Sequence, residues 1–148
     1  MNEKYRGGTI LVPLKGNLSD QEVLRYAAQV AKKNGASLYA VYVVVVRQEL
    51  PLESDLPDEV AFGERVLTEA ANHVQEWGVD IETGILQARS AGVAIVEEAI
   101  ERGVFLITMS VTYRSRLGEF NMGRTVPYVL KNAPCKVWIF RDELQKVQ

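Results

Sequence analysis

The chain is poor in the residues that build covalent or metal frameworks. One cysteine and one histidine stand among 148 residues. A single thiol, Cys135, excludes an intramolecular disulfide framework and points to a reducing compartment. His73 has no cysteine or second histidine near it in sequence, and a metal site needs several ligands. Charge of one sign is lacking too: 17 basic residues face 19 acidic ones, a formal net charge of −2. Broad adhesion to nucleic acid or to an anionic membrane is therefore disfavoured, and any anion site has to be local. Long hydrophobic runs are missing. The longest, Ala40 to Val46, is far too short to span a bilayer. The N-terminal MNEKYRGGTILVPL has neither the apolar core nor the cleavage site of a signal peptide. A soluble, cytoplasmic protein with no nucleic-acid or membrane partner is expected. Without repeats, low-complexity segments or linkers, residues 1–148 are expected to form one domain, long enough to bury a core.

What the chain does have is alternation. TILVPL (Thr9 to Leu14) is β-branched and continuously apolar, as a strand buried on both faces would be. Ser19 and Glu22 form a capping-box pattern that predicts a first helix, with Val23, Ala27, Val30 and Ala31 on one face and a stop at Gly35. SLYAVYVVVV (Ser37 to Val46) reads as the second strand, and residues 47–58 as a loop rich in proline and acid. A helix is predicted from Glu59 to Trp77, a half-buried edge strand from Val79 to Leu86, and a helix from Ala91 to Arg102 preceded by Ser90. Val104 to Met109 is the predicted fourth strand. A polar, basic loop follows, then a helix from about Thr125 to Asn132 with Pro127 in its first turn, and a last strand, Lys136 to Phe140. Strand and helix alternate throughout, which implies a parallel sheet with helices on both faces.

The stretch from Phe105 to Cys135 carries the functional signal. A buried strand, a glycine-containing loop and a helix N-terminus are the parts from which open α/β sheets make anion sites, beyond the carboxyl ends of their strands. Catalysis has little support: the cleft receives no histidine, no placed cysteine and no pair of carboxylates. Cys135 opens an apolar strand and reads as a packed thiol. No G-x-G-x-x-G follows the first strand, which excludes the dinucleotide fingerprint.

In these residues the chain resembles the universal stress protein family. TILVPLKGN is similar to the family's first strand and turn. The run from Val104 to Val137 resembles its C-terminal signature: a strand ending in methionine, here Met109, then Gly-x-x-Gly, nine residues, and Gly-Ser or Gly-Thr, followed by a helix and Asn-Ala-Pro-Cys. The resemblance implies a Rossmann-like, adenine nucleotide alpha hydrolase-like α/β fold with a five-stranded parallel sheet in the order 3-2-1-4-5. It implies homodimers that pair through the last strand, here Val137, Trp138, Ile139 and Phe140. It also implies binding of ATP or AMP in many members, none in others, and at most weak ATP hydrolysis. No metal is implied by the protein's own ligands.

The spacing of the signature is kept while its residues change. Ser110 and Tyr113 stand at the two leading glycines. Arg114 to Met122 make the nine-residue spacer. Gly123 is retained, and Arg124 replaces the hydroxyl residue, with Thr125 next. Lys15 stands where the family's turn usually has aspartate. Val12, Pro13 and Val43 match positions that line the adenine pocket in nucleotide-binding relatives. Topology also brings Arg114 and Arg116 toward the cleft, with Glu119 opposing them. Arginine presents a planar fork to phosphate, so Arg124 can hold an anion; it can equally lie across an empty pocket. Two function classes follow. One is a homodimeric module that binds an adenine nucleotide or other small anion at Lys15, Met109, Ser110, Tyr113, Gly123, Arg124 and Thr125. The other is an interaction dimer whose cleft is filled by Tyr113 and Arg124.

Overall fold

The computed structural model describes residues 7–111, 115–116, 119–120 and 123–141. Its main sheet holds β1 (Thr9–Leu14), β2 (Ser37–Val45), β3 (Ile81–Ala88), β4 (Leu106–Val111) and, last in the chain, β7 (Lys136–Arg141). The order across the sheet is β3-β2-β1-β4-β7 and every pairing is parallel. This is the expected five-stranded order, and β3 is an edge strand as the half-buried alternation predicts. The intervening helices are α1 (Ser19–Asn34), α2 (Pro57–Glu76), α3 (Ala91–Arg102) and α4 (Thr125–Asn132). None of the described helices is long and apolar enough to cross a membrane.

Strand alternation divides the core in two. Ile10, Val12, Leu38, Ala40 and Leu106 face α1 and α2, where Val23, Ala27, Leu67 and Val74 meet them. Leu11, Val41, Ile107 and Met109 face the other way, onto Ile95 and Ala99 of α3 and Val126 and Val129 of α4. With both sheet faces covered, continuous apolar runs are what these strands require.

Several expected boundaries move. β3 and β4 each begin two residues later than predicted. In both places the residue after the terminating glycine is still closing the preceding helix: Val79 N–H donates to Val74 O (3.3 Å) and Val104 N–H to Ala99 O (3.2 Å). The α2 helix begins earlier, at Pro57, because proline loses nothing at a first helical position. The basic loop after β4 contains a short antiparallel pair that was not expected, β5 (Ser115–Arg116) with β6 (Glu119–Phe120).

The predicted capping box does not form. The N-cap of α1 is Leu18, and no side chain caps it. Ser19 lies inside the first turn, where its hydroxyl cannot reach the N–H groups a cap would serve. It donates instead to Asn17 Oδ1 (2.5 Å), which also accepts the Ser19 N–H (3.1 Å). The expected cap on α3 does form: Ser90 Oγ accepts the Val93 N–H.

β1 pairs with β2 along all six of its residues, but with β4 only at Ile10–Leu106 and Leu11–Ile107. Beyond those two pairs the strands separate. Pro13, with no N–H to donate, lies in the separated part. The chain connections also reverse direction between β1 and β4, so a crevice opens there at the carboxyl edge of the sheet.

Candidate functional site at the carboxyl edge of the sheet

The crevice is a cleft of about 480 Å³. β1 and its turn supply Pro13, Leu14, Lys15 and Asn17. β2 supplies Tyr42 and Val43, β4 supplies Met109 and Val111, and α3 supplies Ala91 and Ile95. The far wall is the start of α4, with Gly123, Arg124, Thr125 and Val126.

This wall has the features of an anion seat. Arg124 is the N-cap of α4, and no side chain caps the helix there. The leading N–H groups of a helix lack intrahelical acceptors, and the helix dipole favours negative charge beside them. Gly123 precedes them with φ of 72° and open space where a Cβ would stand. The retained glycine thus serves a left-handed turn that other residues adopt poorly. Arg124 is exposed.

The opposite wall is tied across the gap between the strands. Lys15 Nζ donates to the Ser110 carbonyl (2.6 Å), and the hydroxyls of Ser19 and Ser110 are 3.1 Å apart. Two departures from the family pattern, Lys15 and Ser110, therefore touch. Ser110 lies within β4 and is in register with Phe140 of β7. Extended backbone needs no glycine, so serine at this position costs the turn nothing.

Asp20 fixes the β1–α1 turn. Its carboxylate accepts the Lys15 N–H (3.0 and 3.2 Å) and the Gly16 N–H (2.7 Å). Burial pushes its carboxyl above the usual range, against the lowering effect of those N–H groups, the Asn17 N–H and the Lys15 charge. Gly16 has φ of 83°, and a Cβ there would stand 2.6 Å from the Phe62 ring. Phe62 packs edge-on against Tyr42 (5.7 Å between centroids). Burial, with Asp20 and Glu59 nearby, pushes the Tyr42 phenol up, so it stays neutral.

The structure thus brings Pro13, Lys15, Val43, Met109, Gly123, Arg124 and Thr125 to one cleft. Val12 is not there: it is fully buried on the α1–α2 side, because alternation turns it away from the face that carries Met109. Ser110 is buried behind the cleft and bonded to Ser19. Tyr113 and Arg114 lie outside the described residues. Sequence reasoning missed Asn17, Asp20, Tyr42 and Ile95. Asn17 and Asp20 had a weak signal, as polar residues at a strand-to-helix turn, but the acceptors they supply became evident only in three dimensions.

Two further residues fall away from the cleft. Burial raises the pKa of Cys135, as suits a packed thiol. His73 lies on α2, stacked on Trp77. No cluster of three or more metal-ligating side chains occurs among the described residues.

A second cavity, of about 390 Å³, lies between α1 and α2. Leu14 and Asn17 line both spaces, so the β1–α1 turn is the partition between them. The charged walls differ. Asp20 and Glu69 line the second cavity, and Lys15 and Arg124 line the cleft.

Comparison with known proteins gives the family and the fold. Residues 8–141 match the model of the universal stress protein family. The chain is 33% identical to universal stress protein MJ0531 of Methanocaldococcus jannaschii over 140 residues, covering 89% of this chain and 81% of that protein. Among solved structures, a universal stress protein from Archaeoglobus fulgidus superposes with a TM-score of 0.75 at 22% identity, over 89% of this chain and 97% of that one. A universal stress protein from the same organism in complex with dAMP gives 0.71 at 19% identity, over 89% and 96%. On the family match and the 33% identity, the chain belongs to the universal stress protein family.

Proposed function

We propose that the chain binds an adenine nucleotide, ATP or AMP, or another small anion, and acts as a cytoplasmic homodimer in a stress response or regulatory role. The observation that carries this reading is the open cleft whose far wall is the start of α4, with no side-chain cap and with Arg124 beside it. The dAMP complex of the fold neighbour supports it. The competing reading, a cleft filled by Tyr113 and Arg124, is disfavoured at Arg124, which lines the wall of an open space of about 480 Å³. No residue is assigned a catalytic role. The test is to purify the protein, extract it with acid, and look for released nucleotide. ATP, AMP and cyclic AMP are then titrated by calorimetry. Absence of binding to all three at millimolar ligand sinks the reading.

Dimerisation is proposed through β7, an edge of the sheet. Val137 and Ile139 pack toward α3 and α4, while Trp138 is 43% exposed. An uncovered edge strand is a template for a second strand. Sedimentation of Trp138→Lys should show a shift to monomer. An unchanged dimer would count against this edge.

A further inference from the structure

We propose that the cavity between α1 and α2 binds a small organic ammonium ion, a cationic amine carried on an apolar body. It lies across the β1–α1 turn from the cleft, and the proposal does not depend on the nucleotide reading.

The size and lining of the cavity set the class of ligand. Its volume of about 390 Å³ falls in the range of small-molecule sites. Leu14, Leu24, Val66 and Ala70 line it, and all but Val66 belong to the buried core. Leu18 lines it as well and is 98% exposed, so a large apolar side chain is left in water beside the opening. A bare hydrated ion gains nothing from such walls, whereas an apolar body gains by leaving water.

The charged groups set the sign of the ligand. Among the described residues that line the cavity, Asp20 and Glu69 are acidic and none is lysine or arginine. His73 is already engaged: its ring stacks on Trp77, and its Nε2 lies 3.9 Å from Glu69 Oε1. Cations on the same two helices are drawn onto rings, Arg25 onto Trp77 at 5.7 Å and Arg65 onto Phe62 at 5.9 Å from the centroids. Lys15 reaches the other way, to the Ser110 carbonyl.

The two carboxylates differ in freedom. Asp20 is buried and fixed by the N–H groups of Lys15, Gly16 and Asn17. A carboxylate has about four acceptor positions, so Asp20 retains capacity for one further donor. Glu69 is long and its side chain is 78% exposed, so it can swing onto a cation that enters. An ammonium group, with three donors, suits one fixed acceptor and one mobile one. A carboxylate ligand of the same shape meets two like charges instead.

The test uses the full chain and three probes of one shape: benzylammonium, benzyl alcohol and benzoate. Each is titrated to about 10 mM while backbone amide resonances are followed by NMR. Benzylammonium should shift Leu18, Gln21, Leu24, Val66 and Ala70. Benzoate should bind about tenfold more weakly, with benzyl alcohol in between. No shift at these residues, or equal shifts from benzoate, overturns the proposal. So does movement of the same resonances when the protein alone is diluted, because a second copy then fills the cavity. Two changes at exposed positions check the charge without disturbing the core. Glu69→Gln and Gln21→Lys should each weaken benzylammonium about threefold and leave benzyl alcohol unchanged. A benzylammonium affinity that neither change moves would overturn the ammonium assignment.

Discussion

Two helices begin beside the cleft, α1 after β1 and α4 after the long loop; neither carries a side-chain cap on its N-cap residue, but the turn leading into α1 binds its own N–H groups. Around the start of α1 the donors are consumed internally. Asp20 takes the Lys15 and Gly16 N–H groups, and Asn17 takes that of Ser19. At the start of α4 no side chain serves as a cap. On the proposed function, the first entrance is structural and the second is the one a ligand would use. The difference teaches that an α/β crevice with two helix N-termini need not offer two anion sites. Asp20 accepts the two N–H groups of the turn ahead of α1, and Asn17 accepts the first N–H of the helix itself. It follows that damage at the first entrance should appear in folding, and damage at the second in binding.

The largest expected effect is therefore at Asp20. Asp20→Ala leaves the part-buried Lys15 and Gly16 N–H groups without their acceptor. It should cost about 2–3 kcal/mol of stability by urea denaturation, with or without ligand. A loss below about 0.5 kcal/mol would mean that water replaces the carboxylate, and the contrast between the two entrances would collapse. The pH dependence sharpens the point. Burial raises the folded carboxyl pKa above its unfolded value. The folded state then holds the proton more tightly, so this group's contribution is fully present below the unfolded pKa and is lost as pH rises through the folded one. Asp20→Asn cannot titrate. The advantage of the wild type over it should thus shrink as pH rises from below the ordinary carboxylate range through the raised folded pKa; an advantage that grows with pH there would contradict the burial-driven shift.

At the second entrance the informative change is Gly123→Ala. Its Cβ would meet nothing within 4 Å, so the cost comes from the backbone angle alone. A left-handed residue with a side chain costs about 1–2 kcal/mol. If the turn holds its shape, stability falls by that amount and nucleotide affinity is kept. If it relaxes to escape the strain, stability is largely preserved and affinity falls, because the start of α4 swings with it. Parallel thermal melts and calorimetry separate the outcomes, and neither measurement changing would sever Gly123 from the site.

How much of this was legible beforehand follows the same division. Continuous apolar runs predicted the central strands β1, β2 and β4, because burial on both faces leaves a mark in composition, and β3 was read at the edge from its alternation. The order of the strands came from the resemblance. Boundaries slipped where a helix closes one residue beyond its glycine, at Val79 and Val104, since that closure is a backbone event to which side-chain pattern is blind. Lys15, Gly123 and Arg124 could be placed because topology puts the ends of β1 and β4 together. Val12 was misplaced by one step of alternation, although its neighbour Pro13 does line the cleft. The Ser19–Ser110 contact spans 91 residues of sequence. Nothing local announces such a bond, and the capping-box pattern pointed Ser19 at a different partner.

The smallest expected effect lies on β4, where two buried hydroxyls face α1 two residues apart. Ser110 Oγ has Ser19 as its partner, and Thr108 Oγ1 has none although the residue is fully buried. A buried hydroxyl without a hydrogen bond costs about 1–3 kcal/mol relative to water. Thr108→Val replaces that oxygen by a methyl group of similar size and keeps the β-branched shape the strand favours. It should therefore stabilise the fold, by about 0.5–1 kcal/mol once the imperfect fit of the new methyl is allowed for. Ser110→Ala should do the reverse by a similar amount, because it strands the Ser19 hydroxyl and loosens the tie between β1 and β4. If Thr108→Val destabilises instead, the hydroxyl has an internal water as partner, and the α1 side of β4 would be polar along its length rather than only where it meets the cleft.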